Sequence, residues 1–277
     1  MNPVERFIAT CDKTALLIRT WGNCKNPAVV LVHGLDQNSI IWSTFAEYLS
    51  VHYFIVALDL RGNGLSDHAT LGNYQTERLC LDLHQVCTEL KLSSFHLVGH
   101  SLGGKICLEY SSLYSESVLS LVLVDSAPIL NDNVYRILKQ KYEHPIQFTS
   151  VEDYKQSLRS SYLLCSDQDI ERLVATNIRI VDNRIFANTD SLFLKAILCE
   201  GGILRSENVW SLLRRLAMPV LVIQGELSSV LTDALVARMK HHLFGLRSIK
   251  IPRAGHSIML DQPESLAKIL ELFFLTQ

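Results

Sequence analysis

A serine lies between glycines where an apolar run ends, in Gly99-His100-Ser101-Leu102-Gly103. In a G-x-S-x-G pattern, a sharp turn from strand to helix carries the serine hydroxyl out above the sheet, and glycines stand where side chains would clash. A hydroxyl is a weak nucleophile at neutral pH and needs a general base. His256 follows the last predicted strand and can supply that base. Together, Ser101 and His256 predict nucleophilic attack on a carbonyl carbon.

The same segment also resembles a phosphate-binding loop. From Gly99 to Lys105 the sequence fits G-x-x-x-x-G-K, which in nucleotide-binding loops is followed by a Ser or Thr that binds magnesium. Position 106 is isoleucine, which cannot bind Mg²⁺. Nucleotide binding is therefore the weaker alternative to a serine nucleophile.

Strands and helices must alternate around these residues to position them. Short β-branched apolar runs without alternation are typical of strands buried on both faces of a parallel sheet. The clearest predicted strands are Val29–Val32, Tyr53–Leu58, Phe95–Val98, Leu119–Val124, Pro219–Ile223 and Ser248–Ile251. The runs Val4–Thr10 and Ala15–Trp21 predict an antiparallel pair at the sheet edge. Predicted helices are Ser39–Ser50, Gln75–Leu90, Leu102–Tyr114, Thr232–His242 and Pro263–Phe274.

The pattern changes between Asn131 and Leu216, where apolar runs are shorter, charges are interspersed and the visible periodicity is helical. We predict a helical cap over 131–216, inserted into a core formed by 1–130 and 217–277. Its larger aromatic residues are Tyr135, Tyr142, Phe148, Tyr154, Tyr162, Phe186, Phe193 and Trp210. We expect most of them to pack in the core and some to wall an apolar ligand cleft.

Four motifs in this order resemble the α/β-hydrolase fold family over residues 26–274. They are His33-Gly34, Asp59–Ser66, Gly99–Gly104 and Gly255-His256. The resemblance implies an α/β fold with a mostly parallel eight-stranded sheet flanked by helices and an inserted helical lid. It implies that Ser101 is the nucleophile and His256 the general base. It also implies that the backbone N–H groups of Leu35 and Leu102 form an oxyanion hole, which would stabilise a tetrahedral intermediate.

Other polar residues of these motifs are expected to support the fold. In the turn formed by Asp59–Ser66, we expect Asp59 to pair with Arg61. We expect His100, beside the serine, and Lys105, on the following helix, to be structural or to face solvent.

The acid that would orient the histidine departs from the family pattern. The usual acid follows the seventh strand in a run like G-x-x-D, and Gly225–Ser228 has serine at that position. A hydroxyl cannot supply the charge that stabilises an imidazolium. Asp125, at the end of the sixth strand, is the preferred acid. This placement is similar to that in some family members, which carry the acid after the same strand. Glu226 reaching in from an offset position, and a triad without an acid, are the alternatives.

Composition and charge exclude several classes of function. At 277 residues the chain is one large domain or one domain with an insertion. A balance of 26 Lys and Arg against 28 Asp and Glu predicts no nucleic-acid partner. No stretch reaches the roughly 18 apolar residues of a membrane span, and the N-terminus does not fit a secretory signal. Seven cysteines without a C-x-x-C pair predict reduced, mostly buried thiols and a cytoplasmic protein.

These observations predict a carboxylesterase-like serine hydrolase without metal or other cofactor. A serine at the turn argues against an epoxide hydrolase or a dehalogenase, because the members of the resembled family with those activities carry aspartate there. We predict cleavage of a small-molecule ester with a small or medium acyl chain, through a Ser-His-Asp triad and an acyl-enzyme. The alternatives are a thioesterase, a lactonase or a carbon–carbon hydrolase, and a non-catalytic relative that binds a ligand or a partner. The oligomeric state is left open.

Overall fold

An eight-stranded sheet forms the centre of the molecule. The computed structural model describes residues 2–70, 72–144, 147–181, 184–199, 202–206 and 208–277. Its strands are β1 (Val4–Ala9), β2 (Ala15–Trp21), β3 (Ala28–Val32), β4 (Phe54–Leu58), β5 (Phe95–His100), β6 (Val118–Val124), β7 (Gln147–Phe148), β8 (Ile178–Val181), β9 (Arg184–Ala187), β10 (Val220–Gly225) and β11 (Arg247–Ile251). The central sheet has the order β1-β2-β4-β3-β5-β6-β10-β11, which confirms the predicted α/β architecture.

In the central sheet, six strands run parallel to one another: β4, β3, β5, β6, β10 and β11. Strand β2 is antiparallel to both β1 and β4. The predicted antiparallel edge pair is therefore confirmed. Because parallel strands end at the same edge of a sheet, the loops after β3, β5, β6, β10 and β11 meet there. Every residue singled out for chemistry lies in or beside one of these loops.

Helices cover both faces of the sheet. They are α1 (Ser43–Leu49), α2 (Thr76–Glu89), α3 (Leu102–Leu113), α4 (Asp132–Lys141), α5 (Val151–Ser161), α6 (Asp167–Thr176), α7 (Ser191–Ile197), α8 (Val209–Arg215), α9 (Asp233–His242), α10 (Ile258–Asp261) and α11 (Pro263–Phe274). The Thr232 hydroxyl caps α9 by accepting from the amide of Leu235, as its sequence predicts. Within the described ranges, no helix is both long enough and apolar enough to cross a bilayer.

Alternate side chains of β3 divide the apolar core into two layers. Val30 and Val32 pack in the cluster that contains residues of α2, α3 and α8. Val29 and Leu31 pack in the cluster that contains residues of α1 and α11. This period of two follows from the pleat of a strand that is buried on both faces.

The segment between β6 and β10 contains α4 to α8, and it also contains a small antiparallel sheet with the order β7-β9-β8. The expectation that this segment is helical is therefore incomplete. Strands of two to four residues are too short to show an alternation that can be separated from helical spacing. The division into a core and a cap remains a prediction.

Two other expectations need correction. Asp59 and Arg61 do not pair with each other: Asp59 accepts from Arg19 at 3.1 Å, and Arg61 donates to Asp82 at 2.5 Å and to Asp12 at 3.0 Å. These partners come from other elements, which local spacing cannot reveal.

The seven cysteines are all free, but the expectation that most are buried is wrong. Three are buried, one is half-buried, and three are exposed, namely Cys11, Cys24 and Cys199.

Candidate active site

Ser101 lies at the turn between β5 and α3. Its φ of 53° and ψ of −117° are strained for a residue with a side chain. The neighbouring strand β6 holds this turn, because the Ser101 amide donates to the Val124 oxygen at 3.1 Å and the Ser126 hydroxyl donates to the Ser101 oxygen at 2.7 Å. A Cβ on Gly99 would lie 2.5 Å from the main-chain oxygen of Gly103, so the turn requires glycine at position 99.

His256 lies in the loop between β11 and α10, with about a third of its side chain exposed (35%). This loop is anchored from below by His100, whose Nε2 donates to the main-chain oxygen of His256 at 3.0 Å. Burial and the neighbouring His256 hold the pKa of His100 well below its ordinary range. His100 is therefore a neutral support for the loop, which agrees with its expected structural role, and it does not face solvent.

Asp125 is the hydrogen-bond partner of His256. Its fully buried carboxylate accepts from His256 Nδ1 at 2.7 Å through Oδ2. The same Oδ2 accepts from the Ser228 hydroxyl at 2.5 Å, and Oδ1 accepts from the Gly225 amide at 3.1 Å. Ser228, which stands where the usual acid would be, thus donates a hydrogen bond to the carboxylate that contacts the histidine.

Glu226 is placed differently from Asp125. Its Oε2 accepts from the main-chain amide of Arg253 at 2.9 Å, in an exposed turn. The geometry thus brings Asp125, and not Glu226, to the imidazole.

The amides of Leu35 and Leu102 belong to residues that line one cavity with Ser101 and His256. Leu102 is the first residue of α3, where main-chain N–H groups have no partner within the helix. Leu35 follows Gly34, at which a Cβ would lie 2.9 Å from His100 Nδ1. Glycine at position 34 therefore lets the loop after β3 approach the serine turn closely.

The cavity has a volume of about 440 Å³, within the range of small-molecule sites. Its apolar lining comes from Leu35, Leu102, Leu130, Val134, Leu138, Leu163, Leu164, Leu204, Leu227 and Val230. Of the aromatic residues between β6 and β10, Tyr142 and Tyr162 line it. Tyr135, Tyr154, Phe193 and Trp210 are instead buried in the core. The segment between β6 and β10 thus supplies much of the apolar wall.

Asp36, next to the cavity-lining Leu35, makes contacts that the sequence does not predict. One carboxylate oxygen accepts from the Tyr142 hydroxyl at 3.0 Å and the other from the Thr189 hydroxyl at 2.9 Å. Burial raises the pKa of Asp36, although Lys141 and the two hydroxyls oppose that shift. In the sequence, Asp36 is marked only by its place directly after His33-Gly34-Leu35. Nothing in that motif indicates Tyr142 or Thr189 as its partner.

The described part of the chain holds no group of three or more His, Cys, Asp and Glu side chains arranged for a metal ion. Lys105, on which the nucleotide-binding alternative depends, is buried, and its Nζ donates to main-chain oxygens of Pro128, Ile203 and Leu204. Its ammonium is therefore occupied by main-chain acceptors.

Comparison with known proteins gives four similarities. A family model described as alpha/beta hydrolase fold matches residues 27–145. A protein of Mus musculus named serine hydrolase-like protein is 30% identical over 151 residues, 52% of this chain and 48% of the mouse protein, so this chain spans about half of that relative's length. A 2-(acetamidomethylene)succinate hydrolase of Mesorhizobium japonicum is 26% identical over 248 residues, 89% of this chain and 87% of that protein. The crystal structure of E-2-(acetamidomethylene)succinate hydrolase superposes with a TM-score of 0.88 at 22% identity, over 98% of this chain and 99% of that one, which shows a common fold.

Proposed function

Because the chain belongs to the α/β-hydrolase fold family, we propose that it is a serine hydrolase of small carboxylic esters. The observation that carries this proposal is the 2.7 Å contact between His256 and Asp125, at a cavity that His256 lines together with Ser101 on its strained turn. Packing alone does not require these polar groups in a largely apolar cavity, since burying them is unfavourable unless they are paired. The two named relatives described above are hydrolases or hydrolase-like by name, which also favours hydrolysis.

In the proposed reaction, the Ser101 hydroxyl attacks the ester carbonyl while His256 Nε2 takes its proton. Asp125 holds His256 through Nδ1 and stabilises the imidazolium that forms. The amides of Leu35 and Leu102 donate to the oxyanion, each contributing about 3–4 kcal/mol to transition-state stabilisation. His256 then gives the proton to the leaving alcohol, and water hydrolyses the acyl-enzyme with His256 again as base.

Asp125 is proposed as the acid of the triad, and Glu226 is not. The bond from Nδ1 to Asp125 leaves Nε2 for the serine, which is the tautomer that this chemistry needs. The amide of Arg253 already binds the Glu226 carboxylate.

We propose that the substrate carries a small or medium acyl chain and that the cap, residues 131–216, selects it. Leucines and two valines line the cavity around the nucleophile, and a volume of about 440 Å³ can hold a chain of that size. The free thiols agree with a reducing cytoplasmic setting, which we propose as the place of action.

The proposal is tested with p-nitrophenyl esters from acetyl to decanoyl. We expect the wild type to hydrolyse them with one chain-length optimum and Ser101→Ala to lose turnover by about 10³ or more, because alanine lacks the hydroxyl proposed to form the acyl-enzyme. Ser112→Ala is the matched control, since its hydroxyl lies on the same helix and donates only to the main-chain oxygen of Glu109.

Equal turnover by the wild type and Ser101→Ala would overturn the proposed nucleophile. A wild type that is inactive on oxygen esters, thioesters and lactones would favour the non-catalytic alternative.

A further inference from the structure

Lys105 is a buried ammonium without an acidic partner. It lies on α3, four residues after Ser101, with 6% of its surface exposed. Within the described ranges, no carboxylate forms an ion pair with it; its Nζ donates to the main-chain oxygens of Pro128, Ile203 (3.1 Å) and Leu204 (3.3 Å). Three acceptors match the three donors of an ammonium. Burial lowers the pKa of Lys105 to about 7. Because burying an amine that can carry charge is unfavourable, packing alone does not explain a lysine at this position.

The three acceptors lie on two different stretches of chain. Pro128 lies in the stretch that leads from β6 toward α4, whereas Ile203 and Leu204 lie in a 3₁₀ turn, Ile203–Arg205, that leads back toward α8. A direct bond also joins the two stretches, because the Leu130 amide donates to the Leu204 oxygen at 3.2 Å. Lys105 therefore ties the outgoing and the returning stretch to the helix that begins at the nucleophile.

Both stretches contribute side chains to the catalytic cavity. Leu130 and Leu204 line it together with Ser101. Leu130 and Leu204 form one wall of the cavity. The position of this wall relative to Ser101 thus depends on main-chain oxygens that accept hydrogen bonds from Lys105.

We propose that Lys105 is a specificity-determining positioning residue, which sets the accepted acyl chain by fixing the wall formed by Leu130 and Leu204. This inference rests on the proposed esterase function. Lys105 does not touch the reacting atoms; it acts through the main chain of the wall. A wall that can shift discriminates less between chain lengths, since one methylene in a well-fitted apolar pocket is worth about tenfold or more in kcat/KM.

The test compares the ester series in wild type and Lys105→Met, which keeps the apolar stem and removes all three donors. We expect the ratio of kcat/KM between the optimal ester and one two carbons longer to fall about tenfold, mainly through KM. We expect kcat on the acetyl ester to stay within about threefold, because a two-carbon chain has little apolar surface to pack against the wall. Lys139→Met, an exposed lysine on α4, is the matched control and should leave the profile unchanged.

An unchanged chain-length profile in a folded Lys105→Met protein would overturn the proposal. An equal loss on every ester, acetyl included, would also overturn it, because that result describes a purely structural residue. If Lys105→Met does not fold, Lys105→Gln, which retains two N–H donors, is used instead and should show a smaller loss of discrimination.

A second readout does not depend on activity. Amide hydrogen exchange at Leu130 should accelerate about tenfold or more in Lys105→Met, while exchange at Cys107 within α3 stays unchanged. If the wild type hydrolyses no ester, the proposed function fails, and the exchange measurement alone then tests whether Lys105 fixes the wall. Unchanged exchange at Leu130 would then overturn the role of Lys105 as well.

Discussion

Asp36 and Asp125 occupy corresponding places in two loops of the sheet. Asp125 directly follows β6, and Asp36 lies four residues after β3, on the same edge. Both have positive φ, 55° at Asp36 and 44° at Asp125, which is unfavourable for residues other than glycine. Both side chains accept hydrogen bonds through both carboxylate oxygens.

The two carboxylates differ in their partners. Asp125 is fully buried and contacts an imidazole that can become charged, together with Ser228 and the Gly225 amide. Asp36 contacts only the hydroxyls of Tyr142 and Thr189 among its hydrogen-bond donors in the described ranges, and burial raises its pKa.

Backbone position alone therefore does not decide what an aspartate at a strand end does. The partner of Asp125 suits it to hold a catalytic base. The partners of Asp36, which both lie between β6 and β10, suit it to join that segment to the loop that carries Leu35.

The largest expected effect comes from exchanging each carboxylate for its amide. Asp125→Asn should lower kcat by up to about 10⁴, because an amide cannot hold His256 in the required tautomer or stabilise its charged form. Asp36→Asn should lower kcat by about tenfold or less, since an amide oxygen can still accept a hydroxyl hydrogen bond. The rates are measured on the best p-nitrophenyl ester, with circular dichroism as the check on folding.

A larger loss for Asp36→Asn than for Asp125→Asn would reverse the comparison and remove Asp125 from the triad. Glu226→Gln provides the third arm and should change kcat little, because Glu226 is bound to Arg253.

A second experiment moves the acid instead of removing it. In Asp125→Asn combined with Ser228→Asp, a carboxylate stands at a position whose hydroxyl lies 2.5 Å from Asp125 Oδ2. We expect kcat to recover about tenfold or more relative to Asp125→Asn alone, since part of the charge near His256 is restored. Asp125→Asn with Ser229→Asp is the control, because residue 229 is exposed. Recovery in the control alone, or in neither double variant, would contradict this geometry.

The parts of the site that local sequence could predict are those made by consecutive residues. The strand, the strained turn and the helix around Ser101 follow from glycines and an apolar run, and the structure has β5 and α3 within two residues of the predicted bounds. His256 is predictable because its loop follows a recognisable strand, β11. Such features depend on the backbone conformation of neighbours in the chain, which spacing reports directly.

The missed parts depend on contacts between distant segments. Ser228 and Asp125 are 103 residues apart, and their bond exists because β10 lies beside β6 in the sheet. The Asp36 partners lie 106 and 153 residues away from it, and the Lys105 acceptors lie 23 to 99 residues away. A main-chain oxygen, moreover, can belong to any residue type, so no sequence pattern marks the acceptors of Lys105.

A smaller effect is expected when only the support of Asp125 is removed. Ser228→Ala deletes the hydroxyl donor to Oδ2 but leaves His256 in place, and a bond to a charged group is worth about 1.5–3 kcal/mol in stability. We expect kcat to fall about tenfold and the unfolding free energy to fall by about 1–2 kcal/mol. Ser229→Ala, exposed and adjacent, is the control. If Ser228→Ala matches its control in both measurements, Ser228 does not support the acid.

The smallest effect concerns the pH dependence of stability at Asp36. Because burial raises its pKa, the folded chain holds a proton that the unfolded chain has released above about pH 4. The contribution of Asp36 to the unfolding free energy is therefore fully present below that pH and falls as pH rises through the raised pKa. Asparagine does not titrate, so the stability of the wild type minus that of Asp36→Asn should decrease as pH rises above about 4. Urea unfolding at several pH values measures it, with Glu152→Gln as an exposed control. A difference that grows with pH would mean that folding favours the charged form of Asp36, and would contradict a pKa raised by burial.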